Sequence, residues 1–167
     1  MRPLKIANVA VRLARESDAA NIAAMSRDYI EHGLPWTWTE GRVAAAIEDP
    51  DTNVVVVGDR GATIGFGIMS YPNDDAHLLL FAVRAGHQRR GVGSAILCWL
   101  EEAARTAGAK RIRVECRRDN AAARNFYCEH GYTELQITAK FYRGLKDGIH
   151  LEKWFAPVDT QPLNETL

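Results

Sequence analysis

Gln88-Arg89-Arg90-Gly91-Val92-Gly93 stands where an apolar run ends and a long helical pattern begins. The first amide hydrogens of a helix have no partner within it and carry the positive end of its dipole, so such a junction attracts anions. Two glycines let an anion approach the backbone with no Cβ in between, and Arg84, Arg89 and Arg90 add mobile cationic donors. The hexapeptide reads as a cradle for phosphate or pyrophosphate, although a plain strand-to-helix turn with solvated arginines fits the same residues. Two nucleotide loops compete with it. Gly86 to Gly91 has P-loop glycine spacing, but Val92-Gly93 occupies the place of the required Lys-Ser or Lys-Thr, which excludes NTP hydrolysis. Gly91-Val92-Gly93 followed by Glu115 imitates a dinucleotide fingerprint, yet Ile96 takes the third glycine position and a long loop precedes the first glycine.

Other chemistry-bearing residues lie on both sides. Tyr127 follows Asn120 by seven residues, two helical turns, so both face one way and can meet one ligand; aromatic core is the plain alternative for Phe126 and Tyr127. Glu115 lies on the polar side of an alternating run with Arg113 and Arg117, where an exposed ion pair is the alternative to a catalytic base. His77 is a lone histidine on the preceding strand. Trp36 and Trp38 bracket Pro35 close to Glu31 and His32, either as contacts for a second ligand or as anchors pinning a loop. Cys98, Cys116 and Cys128 are unpaired in spacing, which offers neither a disulfide framework nor a metal site.

The elements that position these residues follow from periodicity. Asn8 to Leu13 alternates as a strand; Ser17 or Asp18 caps a helix to about Ile30; Thr39 caps a short helix that Asp49-Pro50-Asp51 ends. Val54 to Val57 and Ala62 to Tyr71 form a hairpin around Gly58-Asp59-Arg60-Gly61. His77 to Arg84 holds an unbroken apolar run, the mark of a strand covered on both faces. From Val92 to Ala107 apolar residues recur at helical spacing until Gly108, and Arg111 to Arg117 alternates strictly, which makes a parallel strand-helix-strand crossover. Asp119 or Asn120 caps a helix to His130, and closing strands fall near Tyr132 to Thr138 and Ile149 to Phe155.

Composition bounds the rest. The 167 residues suit a single domain at 1–156 with a tail at 157–167. Lys plus Arg equal Asp plus Glu at 21 each, so no global field draws the chain to nucleic acid or a membrane surface. No apolar stretch reaches the roughly 18 residues of a membrane helix, which points to a cytoplasmic protein.

Phe81-Ala82-Val83, the loop Gln88 to Gly93 opening a helix, Asn120-Ala-Ala-Ala-Arg-Asn-Phe-Tyr127 and Gly131-Tyr132 together resemble the GNAT superfamily of acetyl-CoA-dependent N-acetyltransferases. The strong part of the likeness covers roughly Leu78 to Thr133. It implies an α/β domain of three layers, α/β/α, whose mixed, mostly antiparallel sheet splays at a central parallel pair near Gly91. It also implies coenzyme A as the phosphate-bearing ligand. Phe81, Ala82 and Val83 would pair with its pantetheine arm, Gln88, Arg89, Arg90, Gly91, Val92, Gly93 and Ser94 would hold its pyrophosphate, and Asn120 would stand on its side. Tyr127 would protonate the departing thiolate, and a backbone amide near Val83 would polarise the thioester oxygen.

Arg113 to Asn120 looks like the branch that acetylates ribosomal-protein N-termini, in which a glutamate matching Glu115 is the base; His77 or water is the rival. Phe141 stands where that branch has the first of two tyrosines, a departure at the acceptor side. Glu31, His32, Trp36 and Trp38 would wall the acceptor, a small-molecule amine or a peptide N-terminus. A non-catalytic coenzyme A sensor is the alternative function. An exposed apolar edge or helix face would let a second copy form a homodimer.

Overall fold

The computed structural model describes residues 6–156; the expected tail at 157–167 lies outside them. In chain order the elements are β1 (Arg12–Leu13), a 3-10 turn (Glu16–Asp18), α1 (Ala19–Met25) continuing into a π turn (Ser26–Ile30), and α2 (Glu40–Glu48). The hairpin β2 (Thr52–Asp59) and β3 (Ala62–Ser70) leads to β4 (Asp75–Val83), α3 (Val92–Thr106), β5 (Arg111–Arg117), α4 (Ala121–Glu129), β6 (Thr133–Tyr142) and β7 (Lys146–Trp154). They build one seven-stranded sheet in the order β1-β2-β3-β4-β5-β7-β6, antiparallel everywhere except between β4 and β5.

Each face of the sheet buries its own apolar set. Ile96, Leu97 and Leu100 of α3 pack with Leu78, Ile112, Val114, Ile149 and Leu151, and Tyr127 of α4 joins them. Ile22 and Met25 of α1 and Val43 of α2 pack on Val54, Val56, Phe66, Ile68, Leu80 and Ala82 of the opposite face. The helix stripe of period 3.6 and the strand alternation of period 2 therefore meet in two separate cores.

The functional region originates in one irregularity. Across β3 and β4, Ile68 faces Leu80 while Met69 faces Leu78, so Leu79 is an extra residue with no partner. Such a bulge reverses the alternation beyond it. Ala76 and Leu78 belong to the first core, whereas Leu80 and Ala82 belong to the second. Parallel pairing of β4 with β5 stops at the same point, its last pair being Leu78 and Val114. From Glu115 to Arg117, β5 stays paired only with β7 on its other side.

Several boundaries differ from the periodic reading. Only Arg12–Leu13 of the first expected strand enters the ladder. Ala7, Val9 and Val11 instead pack on the first core, and the Ala7 amide donates to the Gly91 carbonyl at 3.0 Å. Asp18 does not cap α1. Its carboxylate turns back to accept from the Arg15 amide at 2.7 Å and from both terminal nitrogens of Arg12, and a charged partner there outweighs one backbone amide. The hairpin turn shrinks to Arg60-Gly61, both at positive φ, because the ladder runs on through Asp59 and Ala62. His77, Leu79, Phe81 and Val83 are only half-buried, so β4 is not covered evenly on both faces. β6 extends to Tyr142 and β7 begins at Lys146, which closes a hairpin that the loop-like composition of 139–148 conceals.

Candidate active site

The parting of β4 and β5 opens a slot of about 500 Å³, lined among others by Leu79, Phe81, Glu115, Arg117, Asn120, Tyr127 and Tyr142. At the start of α3, Gly91 adopts φ 83° and Arg89 φ 60°, turning the chain so that successive amides face outward. Among the described residues, no protein acceptor meets the backbone amides of Arg89 to Ser94. The first to be satisfied is that of Ala95, which donates to Gly91 at 3.1 Å. A run of free amides at the head of a fifteen-residue helix is an anion site in geometry and in field. Gly93 is closely surrounded, since a Cβ there would lie 3.3 Å from the rings of Phe81 and Phe126.

The loop residues divide into backbone and side-chain contributors. Val92 is buried in the core, and the Ser94 hydroxyl is engaged with His130 Nε2 at 2.8 Å, so both offer only their amides. Gln88 spends its side chain on the Val83 carbonyl at 2.9 Å, bracing the loop against the end of β4. Ala82 and Val83 do not line the slot. The strand backbone left unpaired toward β5 begins after Leu78, and Leu79 at the bulge has no partner on β3 either. Asn120 caps α4 by accepting from the Ala123 amide at 3.1 Å and also lines the slot, with its amide nitrogen left for a ligand.

Tyr127 sits where the slot narrows onto the core. Its ring packs against Phe81, Phe126 and Tyr132 with centroids 6.2, 5.5 and 5.5 Å away. Burial, reinforced by Cys116 and Tyr142, pushes its phenol far above the ordinary value, so the hydroxyl keeps its proton at any working pH. Asn120 and Tyr127 line the same slot, as their spacing on the helix anticipates.

Glu115 is not in an ion pair with its strand neighbours. Arg113 points its Nε toward Asp75 at 3.6 Å, and Arg117 donates to the carbonyls of Ile30 and His32. Two histidines hold the carboxylate instead. His77 Nε2 lies 2.5 Å from Oε2, and His150 Nδ1 lies 3.4 Å from Oε1. Burial alone would raise the carboxyl pKa, but the His77 hydrogen bond and the charges of His77, His150 and Arg113 outweigh it and hold the group below its ordinary value. Glu115 is therefore an ionised acceptor inside the slot at neutral pH. The two residues read as rival bases in the sequence form one pair.

The acceptor wall differs most from expectation. His32 lines the slot, together with Asp28, Tyr29 and Ile30. Glu31, Trp36 and Trp38 do not line it. The buried Glu31 carboxylate accepts from the Thr37 amide at 2.7 Å, the Trp38 amide at 3.2 Å and the Ser26 hydroxyl at 3.1 Å, and so acts as an internal knot for the α1–α2 loop. Trp36 is 42% exposed with Arg27 over its ring, and Trp38 stacks under Arg42 at 3.9 Å. The aromatic pair stabilises the loop; Arg117 pins that loop to β5. Tyr29 and Tyr142 line the slot in place of the tryptophans, and His150 stands against Glu115. The signal for His150 was its polar place between Ile149 and Leu151, facing Glu115 across the ladder. Cys116, whose thiol burial pushes up to about 11, makes a poor nucleophile.

Residues 21–132 match the family model described as the acetyltransferase (GNAT) family. The chain belongs to the GNAT acetyltransferases. This GNAT chain is 30% identical over 111 residues to the ribosomal protein bS18-alanine N-acetyltransferase of Escherichia coli, covering 66% of this chain and 73% of that one. It is 28% identical over 109 residues to streptothricin acetyltransferase of Streptomyces lavendulae, 64% of this chain, and spans 58% of that enzyme's length. The crystal structure of the E. coli ribosomal-protein-S18-alanine N-acetyltransferase superposes with a TM-score of 0.72 at 25% identity, over 90% of this chain and 97% of that one. The mixed α/β sheet with its single parallel pair is the GNAT architecture. Among the described residues no helix is long and apolar enough to cross a membrane.

Proposed function

We propose that this protein moves an acetyl group from acetyl-CoA to a primary amine of a small molecule or a peptide N-terminus by direct attack. The observation that carries the proposal is the run of unsatisfied amides at the head of α3, where Gly93 abuts Phe81, a residue that lines the slot together with Tyr127 and Glu115. Coenzyme A suits this site because a diphosphate needs several N–H donors, and the amides of Arg89 to Ser94 have no protein acceptor among the described residues, with glycine at 91 and 93. Bound acetyl-CoA supplies the acetyl group as a thioester.

The chain's own residues supply the proton management. An amine attacks only as the free base, so Glu115 takes the proton of the incoming ammonium. The protonated carboxyl then lies 2.5 Å from His77, whose side chain is 25% exposed and opens a way to water. The backbone at Leu79, unpaired toward both neighbouring strands, is the donor this reading assigns to the thioester oxygen as it gains charge. As the C–N bond forms and the C–S bond breaks, the nitrogen releases its second proton to water, and Tyr127 gives its hydroxyl proton to the sulfur and recovers one from solvent. Net, acetyl-CoA and amine become amide and free thiol.

Thiol release from acetyl-CoA with a panel of amines and N-terminal peptides tests this reading, with calorimetry to establish binding. Amine-dependent release supports the transferase. Binding without release for any amine favours a coenzyme A sensor built on the same cradle.

A further inference from the structure

Beyond the residues of the reaction, β6 and β7 place a third group against the base. His150 lies directly opposite Glu115 in the β5–β7 register. Its Nδ1 is 3.4 Å from Glu115 Oε1, and its Nε2 is 2.8 Å from the Thr138 hydroxyl on β6. The Phe141 ring stands edge-on to the imidazole, with centroids 5.1 Å apart. Phe141 itself is seated over Gly148, where a Cβ would come within 2.8 Å of the ring. The imidazole is thus clamped on three sides. With Nε2 engaged by the Thr138 hydroxyl, Nδ1 is the ring nitrogen that stands in ion-pair range of the carboxylate.

We infer that His150 is a positioning residue for the proposed base, an ion-pair partner at Glu115 Oε1 as His77 is a hydrogen-bond partner at Oε2, with Thr138 holding the imidazole in place. The inference rests on Glu115 acting as the base. A carboxylate held at one oxygen only rotates about its last bond; held at both, it presents one geometry to the acceptor amine. The charged and titratable groups around Glu115 are His77 from β4, Arg113 from its own strand, His150 from β7 and Tyr142 from β6. Of these, His77, His150 and Arg113 lower its pKa, so removing the His150 charge raises it.

The test compares His150→Ala, His150→Asn, Thr138→Val and Glu115→Gln in steady-state kinetics across pH with one amine. His150→Ala lowers kcat about 10- to 100-fold, the order of an ångström-scale misplacement, leaves KM for acetyl-CoA within about twofold, and moves the acidic limb of kcat/KM to higher pH. His150→Asn, which keeps a donor at the Nδ1 position, recovers most of kcat yet keeps the displaced limb. Thr138→Val gives a smaller fall in kcat. Should His150→Ala fold poorly in a thermal melt, the Asn and Val variants carry the same comparison. An unmoved acidic limb and wild-type kcat in the His150 variants, with Glu115→Gln inactive, overturn the inference alone. Full activity of Glu115→Gln overturns the assignment of the base, and the inference with it.

Discussion

Tyr127 and Glu115 are opposite solutions to one requirement, a fixed protonation state at neutral pH. Burial keeps the phenol protonated and two imidazoles keep the carboxylate ionised, so the slot holds a donor and an acceptor side by side. Tyr127→Phe lowers single-turnover chemistry about 10²- to 10⁴-fold with coenzyme A affinity kept, the usual range for one general acid; a change under about threefold removes the assignment. Trp36→Ala and Trp38→Ala act on the loop: melting temperature falls while KM for the amine changes less than it does for substitutions at His32 or Tyr29. Equal or larger KM effects at the tryptophans would restore them to the acceptor wall. At this scale the sequence was legible where spacing sets geometry, as for Asn120 and Tyr127 on one helix. It was not legible where the path of a loop, and no regular spacing, brings the partners together. Glu31 looked like a substrate contact because nothing local reveals that its carboxylate is already tied to Thr37, Trp38 and Ser26.

At the scale of elements, the β4 bulge and the head of α3 do the positioning. Helices and strands with strong periodicity, α3 and β5 above all, could be placed from the sequence, and Gly108 and Gly131 mark helix ends where the chain does turn left-handed. The bulge was hidden. Leu78 to Phe81 is apolar throughout, so a reversal of alternation leaves no trace in residue type. Gly91→Ala tests the cradle as an element. A side chain at φ 83° costs about 1 to 2 kcal/mol, so the variant loses stability and binds coenzyme A more weakly, whereas Tyr127→Phe leaves that affinity intact. Unchanged affinity in Gly91→Ala, measured by calorimetry, contradicts a role for this turn.

The whole molecule is neutral by count yet organised by charge. Asp18, Asp75, Glu115, Glu134 and Asp147 all have pKa values held below the ordinary carboxylate range by partners in the fold. A depressed folded-state pKa contributes stability that is present above the unfolded value and is lost as pH falls through the folded one. Melting temperature therefore holds from pH 7 to about pH 5 and falls from there to about pH 3, with the exposed pairs contributing least because solvent screens them. A flat profile over that range would contradict the pairings. Ligand binding shows at this scale as well: coenzyme A at a hundredfold excess over Kd adds about 2.7 kcal/mol of stability, a rise of roughly 5 to 10 °C, while NAD adds none. Stabilisation by NAD alone would return the dinucleotide reading.

The account depends most on the amides that open α3. A crystal structure of the protein with coenzyme A measures this directly. The account predicts the diphosphate within hydrogen-bonding distance of backbone nitrogens between Arg89 and Ser94, with the sulfur in the slot beside Tyr127. A diphosphate seated anywhere else, or a thiol directed away from that tyrosine, contradicts it.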